Sequence, residues 1–360
     1  MPYDPNDPLS AEFRADVSST LAGFLADRQV AVTSIGAEVT GLVDAARLLV
    51  GGGKRFRPGF CWWGYAAHEG QPAAPAPVLT VAASFDLLHA SALAHDDVMD
   101  ASDTRRGRPA AHVAFATGHR TGGWRGDPDA FGRAGAILLG DLLMMWSVAM
   151  AEASGLPRLA EARPLLDAVR TEVTCGQFLD IVAQSEPVEP DRAVDVSRRV
   201  TEFKSARYTV TRPLQVGAVL GGASPEVVAA LGAYGSPLGR AFQLRDDLLG
   251  VFGDETLTGK PAGDDLREGK QTLLVGLARG RCTPAARARL EQLVGDAALD
   301  VGGVAEARDL IAGSGAVQAV EGEIAEGHAS ALRAIDAVPL HPDCRTALVA
   351  LADLAVRRDR

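Results

Sequence analysis

The sequence predicts an all-α protein, and three observations carry that reading. Apolar residues recur at three- and four-residue spacing almost throughout the 360 residues, which is the repeat of one helix face. Alternating strand patterns are missing. Alanine and leucine are abundant, with Gly or Pro at the joins. In chain order the periodicity places helices over about 10–30, 35–50, 57–68, 74–100, 131–154, 160–183, 191–222, 225–252, 271–279, 284–297, 303–312, 315–336 and 342–357. Breaks fall at Gly51-Gly52-Gly53, Gly118 to Pro128, Ser185 to Pro190, Gly253 to Gly269, and Pro339 to Pro342. None is long or biased enough to be an interdomain linker. Candidate site residues run from Lys54 to Lys270, so a domain boundary would cut the site. The chain is therefore read as one domain over 1–360, a large helical bundle around a central cavity.

Composition narrows the function. The chain is 47% hydrophobic and 23% charged, which is ordinary globular usage. A net charge of −10 argues against nucleic-acid backbones and anionic membrane surfaces as partners. Cys61, Cys175, Cys282 and Cys344 are widely spaced and form no C-x-x-C pair, which suits reduced thiols better than a zinc site or a disulfide framework. The start, MPYDPNDPLSAEF, shows no basic-then-apolar leader, and no apolar run reaches ~18 residues without a charge. The expectation is a soluble, cytoplasmic protein that does not span a membrane.

Two acidic clusters sit on apolar helices. In the first, Phe85, His89, Ala92, Asp96 and Asp100 fall on one stripe, with Asp97 between the last two. Leu79, Val81, Leu87, Leu88, Leu93 and Ala94 fill the other faces, so the helix should be buried and its polar stripe should face a partner, a metal or water. Carboxylates at a helix C-terminus oppose the dipole and invite a neutralising cation. Surface charge at a helix end would explain a lone D-D-x-x-D equally well. Asp103-Thr104-Arg105-Arg106-Gly107 follows at once, acid then base, as at the mouth of a phosphate site.

In the second cluster Gln243, Asp246 and Asp247 share a face. The following loop carries Asp254, Lys260, Gly263-Asp264-Asp265, Gly269 and Lys270, a composition suited to a lid over phosphate, or simply to a solvated loop. Gly51-Gly52-Gly53-Lys54 is no Walker A motif, because Arg47 and Arg55 stand where Gly and Ser/Thr are required. Lys54 and Arg57 instead suit an anion at the next helix N-terminus. Gln177 with Asp180, and Lys204 with Ser205, are polar islands in apolar helices, as compatible with core hydrogen bonds as with a ligand. His95, beside the aspartates but off the stripe, reads as structural. H-E-x-x-H, G-x-S-x-G and G-x-G-x-x-G are all missing.

Mg²⁺ takes one or two protein carboxylates and completes its shell with substrate phosphates and water. Two aspartate clusters would therefore clamp a diphosphate through several Mg²⁺ ions, while Lys54, Arg57 and Arg106 form a second, metal-free anion pocket. The matching chemistry is metal-assisted loss of diphosphate from an amphipathic ester. No residue reads as a covalent nucleophile.

The segments GGKRFRP, LLHASALAHDDVMDASDTRRGRP, GQFLD, KSARYT, FQLRDDLLGVFGD and GKPAGDDLREGK, in that order, resemble the trans-isoprenyl diphosphate synthases of the polyprenyl synthetase family. Within the family the chain is most like the geranylgeranyl diphosphate synthases. The resemblance implies that Lys54, Arg57, His89 and Arg106 bind isopentenyl diphosphate. It implies three Mg²⁺ per active site, two on Asp96 and Asp100 and a third on Asp246, supported by Asp97 and Asp247. Arg105, Lys204, Ser205, Gln243, Lys260 and Lys270 would hold the allylic diphosphate, with Asp96, Asp100, Asp246, Lys204 and Arg105 as the catalytic set. Ionisation would give an allylic cation, the isopentenyl double bond would attack it, and the released diphosphate would accept the proton. A homodimer is implied as well. Two positions depart from the family pattern: Gly250 stands where many members carry a third Asp, and Ser205 where Thr is common.

In this family bulky side chains below the first motif limit product length. Here Ser91 and Ala92 are both small, and Phe85 is the next large residue on the stripe, eleven positions before Asp96 or ~16 Å at ~1.5 Å per residue. A floor there suits geranylgeranyl diphosphate (C20). Leu88 could close the tunnel sooner, giving farnesyl diphosphate, and an averted Phe85 would allow C25 or longer. A terpene cyclase is disfavoured because the one asparagine, Asn6, lies far from any second metal motif. A non-catalytic partner subunit is disfavoured because both aspartate motifs are present.

Overall fold

Ser10 opens the first helix. Its hydroxyl accepts the Phe13 amide at 3.2 Å, and Phe13, Val17, Leu21 and Leu25 then bury one stripe of α1 (Ala11–Thr33). The structure is a computed structural model and describes residues 3–185, 190–253 and 263–357. The described residues are overwhelmingly helical, as the apolar spacing predicts. After α1 come α2 (Thr40–Val50), α3 (Phe56–Tyr65), α4 (Pro75–Met99), α5 (Ala111–Thr121), α6 (Pro128–Glu152), α7 (Leu159–Ser185) and α8 (Pro190–Val200). They are followed by α9 (Arg212–Leu220), α10 (Pro225–Phe252), α11 (Asp264–Arg267), α12 (Leu273–Arg281), α13 (Pro284–Leu293), α14 (Val301–Gly313), α15 (Ala316–Asp336) and α16 (Pro342–Val356).

Four departures from the expected pattern have physical reasons. A short antiparallel hairpin, β1 (Thr104–Arg105) with β2 (Arg108–Pro109), follows α4. Its two-residue turn is Arg106-Gly107, both at positive φ (53° and 71°), as a twisted hairpin requires, and strands this short leave no alternation to read. Helix α5 occupies a stretch expected as loop and runs through Gly118; its buried positions include only small alanines and His119, so its apolar signal is faint. Helix α11 forms within the expected loop. The predicted helix over 191–222 is helical as far as Leu220, but Thr201–Thr211 widens into a π-helix between α8 and α9.

The chain divides into two compact units, each assembled from separated stretches. The first comprises Met1–Leu166, Pro213–Ala229 and Pro339–Ala350; the second comprises Asp167–Arg212, Ala230–Val338 and Leu351–Arg360. In the first unit α4 packs against α1, α3 and α6. It is buried on nearly every face from Val78 to Ser91, as a core helix must be. Helices α4 and α6 are each long and apolar enough to cross a membrane, and α4 is mostly buried inside the protein. Gly217 lets α9 lie directly on α3: a Cβ there would stand 1.9 Å from the Cys61 carbonyl oxygen. In the second unit, Leu244, Leu248 and Val251 of α10 pack into one apolar cluster with Leu266, Leu274, Val320 and Ile324.

Candidate active site

Both acidic segments lie on the helices the sequence assigns them to, one in each unit. On α4 the stripe survives folding. Phe85 is buried, while His89, Ala92, Asp96 and Asp100 keep partial exposure; the last turns also open elsewhere, with Leu93, His95 and Val98 partly exposed and Met99 exposed. Asp100 ends the helix, its amide bonded to the Asp96 carbonyl at 2.8 Å. Asp97 points the other way and is wholly enclosed. Arg105, from β1, donates Nε to its Oδ1 at 2.8 Å and a second nitrogen to the same oxygen, and reaches Asp96 at 3.6 Å. The hairpin thus folds back so that one guanidinium braces the acidic end of α4.

Ser91, Leu88 and Phe85 are all enclosed, and among these chain-length candidates Ala92 alone lies on the open stripe. The Ser91 hydroxyl is buried with no hydrogen-bond partner. His95 holds α4 to α6: its Nε2 lies 3.1 Å from the Ile137 carbonyl and 3.3 Å from Asp141.

The residues expected to form a metal-free anion pocket all belong to the first unit. Lys54 is exposed after the glycine turn, and Arg57 is half-buried in the first turn of α3. Arg106 donates to the Gly51 carbonyl at 2.9 Å and lies against Gly53, at φ 92°, where a Cβ would come within 3.6 Å of its guanidinium. His89 faces the same positive field. Withdrawal from water, with the charges of Arg57, Arg106, Arg105 and Arg55, pushes its basicity well below the ordinary histidine value, so the imidazole is neutral. Among the described residues Arg55, Ala101 and Arg106 are the non-glycine residues at positive φ, and all three flank these segments.

In the second unit α10 presents Asp246 half-buried and Asp247 buried. Gln243 donates its amide to Asp247 at 2.8 Å. Burial, with the negative charges of Asp265 and Asp246, pushes Asp247 up to about 7 against the help of Gln243 and Lys270. Asp265 stands over Gly250, where a Cβ would fall 1.9 Å from its Oδ2. The loop therefore delivers a carboxylate to the place where the resembling family carries its third aspartate. Lys270 pairs with Glu268 at 2.6 Å and with Asp265 at 3.4 Å. Lys260 and Asp254 lie outside the described residues.

Lys204 sits in the π-helix and donates to Asp180 at 2.6 Å, so two polar islands of the sequence are one pair; Ser205 beside it is half-buried, as is Gln177 on α7. The wide turn is accommodated by glycines. A Cβ at Gly176 would lie 2.3 Å from the Lys204 nitrogen, at Gly235 2.6 Å from Thr211 Cα, and at Gly239 2.6 Å from Ala206 Cα. Two carboxylates lock the segment. Glu172 accepts from Arg207 and Arg212, and Glu202 from Arg207, Ser236 and Arg240. Burial raises both acids, yet these bonds hold each below the usual carboxylate range.

The residues missed by sequence reasoning are Arg55, Asp86, Glu172 and Glu202, and Asp265 is legible there only as part of a charged loop. Arg55 and Asp86 form a buried ion pair at 2.7 Å. An acid on an otherwise apolar helix face, such as Asp86, was the available signal.

Hard carboxylate oxygens in both clusters are the donor set that Mg²⁺ takes. Among the described residues no three acidic, His or Cys side chains converge into a ready-made cage.

A sequence profile of the polyprenyl synthetase family matches residues 40–311. Octaprenyl diphosphate synthase of Escherichia coli is 32% identical over 317 residues, covering 87% of this chain and 88% of its own length. Geranylgeranyl diphosphate synthase of Mycobacterium tuberculosis is 30% identical, with 100% and 96% covered. Among solved structures, geranylgeranyl pyrophosphate synthase of Corynebacterium glutamicum, complexed with isoprenyl diphosphate and magnesium, superimposes with a TM-score of 0.92. It is 41% identical and covers 96% of this chain and 99% of its own.

Proposed function

Because this chain belongs to the polyprenyl synthetase family, we propose that it is a trans-prenyl diphosphate synthase. It condenses isopentenyl diphosphate with allylic diphosphates, and its main product is geranylgeranyl diphosphate. The observation that carries this reading is the pair Asp96 and Asp100, partly exposed at the end of a helix buried along most of its length, with Arg105 clamped on Asp97 beside them.

In this reading Asp96 and Asp100 would hold two Mg²⁺ ions and Asp246 a third, while Asp97 and Asp247 would support their neighbours. Bound Mg²⁺ supplies neutralising charge to the leaving diphosphate. Lys204 and Lys270 offer ammonium groups, Ser205 a hydroxyl and Gln243 an amide to phosphate oxygens. Lys54, Arg57 and Arg106 bind the isopentenyl diphosphate, and neutral His89 donates a hydrogen bond without adding charge. As the allylic C–O bond breaks, its electron pair leaves with the diphosphate. The isopentenyl double bond then forms the new C–C bond, and loss of one proton to the released diphosphate restores an alkene.

Small Ser91 and Ala92 above Phe85 support a C20 product. A homodimer is supported by α6, which exposes Phe131, Leu138 and Met145 at seven-residue spacing, with Val148 beside them. We place the enzyme, soluble, in the cytoplasm. The test is incubation of purified protein with labelled isopentenyl diphosphate, each allylic primer in turn, and Mg²⁺. A C20 product with stoichiometric inorganic pyrophosphate is expected. Absence of pyrophosphate release from every primer rejects the reading.

A further inference from the structure

Arg55 belongs by sequence to the basic run Lys54-Arg55-Phe56-Arg57, yet its side chain leaves that company. It is 7% exposed, donates to Asp86 Oδ2 at 2.7 Å and reaches the Ser18 hydroxyl at 3.0 Å. Its backbone is left-handed (φ 58°), a conformation unfavourable for a residue with a Cβ, and its carbonyl accepts the first bond of α3, from Gly59 at 2.9 Å. The reversal sends Arg55 inward while Lys54 stays exposed and Arg57 half-buried.

Asp86, also 7% exposed, lies three residues before His89 on α4. Burial raises its proton affinity, and the charges of Arg55, Arg57 and Arg106 oppose that rise, so one carboxylate answers three guanidiniums. Without it, like charges gathered for an absent diphosphate would repel one another and the turn before α3 would lose its inner anchor.

We propose that Arg55 and Asp86 are positioning residues that hold the isopentenyl diphosphate pocket in its binding geometry before the substrate arrives. This rests on the reading of Lys54, Arg57, His89 and Arg106 as that pocket. The two ways Asp86 could act have opposite signs. As a mere charge, it repels the incoming diphosphate, and its removal tightens binding. As an anchor, its removal loosens binding.

The experiment is steady-state kinetics of full-length Asp86→Asn with each substrate varied separately. The expected result is a rise of about tenfold or more in KM for isopentenyl diphosphate, with kcat and the allylic KM within about threefold of the parent. A folded Asp86→Asn enzyme whose isopentenyl KM is unchanged or lower overturns the proposal. Should Asp86→Asn fail to fold, the double variant Arg55→Met/Asp86→Leu removes both charges together and keeps the core apolar. Its isopentenyl KM must stay raised, and a folded double variant that binds like the parent equally overturns the proposal. Arg57→Gln run alongside separates the two readings. If it leaves the isopentenyl KM unchanged, the pocket assignment itself is wrong; if it raises KM while Asp86→Asn does not, only the anchoring role fails.

Discussion

The imidazole of His95 rests on the backbone of Gly140: a Cβ added at Gly140 would come within 2.3 Å of His95 Nε2. The residue next to His95 is Asp96, so the acidic end of α4 takes its position partly from a side chain wedged against α6. Glycine in a helix interior ordinarily costs about 0.5–1 kcal/mol relative to alanine. Gly140→Ala should therefore stabilise the helix if contacts were irrelevant. We expect the reverse, a loss of about 1–3 kcal/mol from overpacking, with a raised Mg²⁺ requirement for activity. Denaturant unfolding and a Mg²⁺ titration of turnover check both.

Product length is the second point. Ser91 is enclosed, its hydroxyl has no hydrogen-bond partner, and it lies one turn above the level of Leu88. Ser91→Phe adds bulk at that level and should shorten the main product to C15 or C10. Chromatography of the dephosphorylated products reads the outcome directly, and an unchanged distribution removes Ser91 from the ruler.

The π-helix makes a steric prediction. Gly176→Ala drives a methyl to 2.3 Å from the Lys204 nitrogen, against main chain that has no rotamer with which to yield. The Lys204–Asp180 pair should break and turnover should fall by about tenfold or more, of the size seen when one charge-stabilising group is displaced. Glu202→Gln, which keeps the shape and loses the charge shared by Arg207 and Arg240, should cost less. Single-turnover kinetics with the allylic substrate in excess distinguishes the two variants.

His89 predicts a pH effect with a definite sign. Its folded-state basicity is depressed below the ordinary value of 6.5, so the unfolded chain takes up a proton that the folded chain refuses. Stability from this group is complete above that value. It is lost as pH falls below it, by up to about 1.4 kcal/mol per pH unit. In substrate-free protein, His89→Gln should flatten the unfolding free energy between about pH 6.5 and 5 relative to the parent. Parallel curves would mean that His89 carries no such penalty.

Much of this was legible in the sequence because burial follows helical period. The bounds of α10 and the Asp96–Asp100 stripe can be read from apolar spacing alone. A widened π turn leaves no mark on that spacing, so Thr201–Thr211 reads as ordinary helix. Charge also carries no direction: Lys54, Arg55 and Arg57 are equally basic in sequence, and only the left-handed turn at Arg55 sends one of them into the core. Asp265 could not be matched to Gly250 because their meeting is a tertiary contact. His95 could be read as structural, but not as the residue that rests on a particular glycine of α6.

The meeting of Asp265 with Gly250 reaches beyond the missing aspartate. Where the third acid grows from the same helix as Asp246, its distance from its neighbours is set by helical pitch and is fixed for good. Here it is carried on a separate short helix, tethered by Lys270. A substitution that displaced α11 would therefore change the charge density around Asp246 and Asp247 with no change in the motif itself.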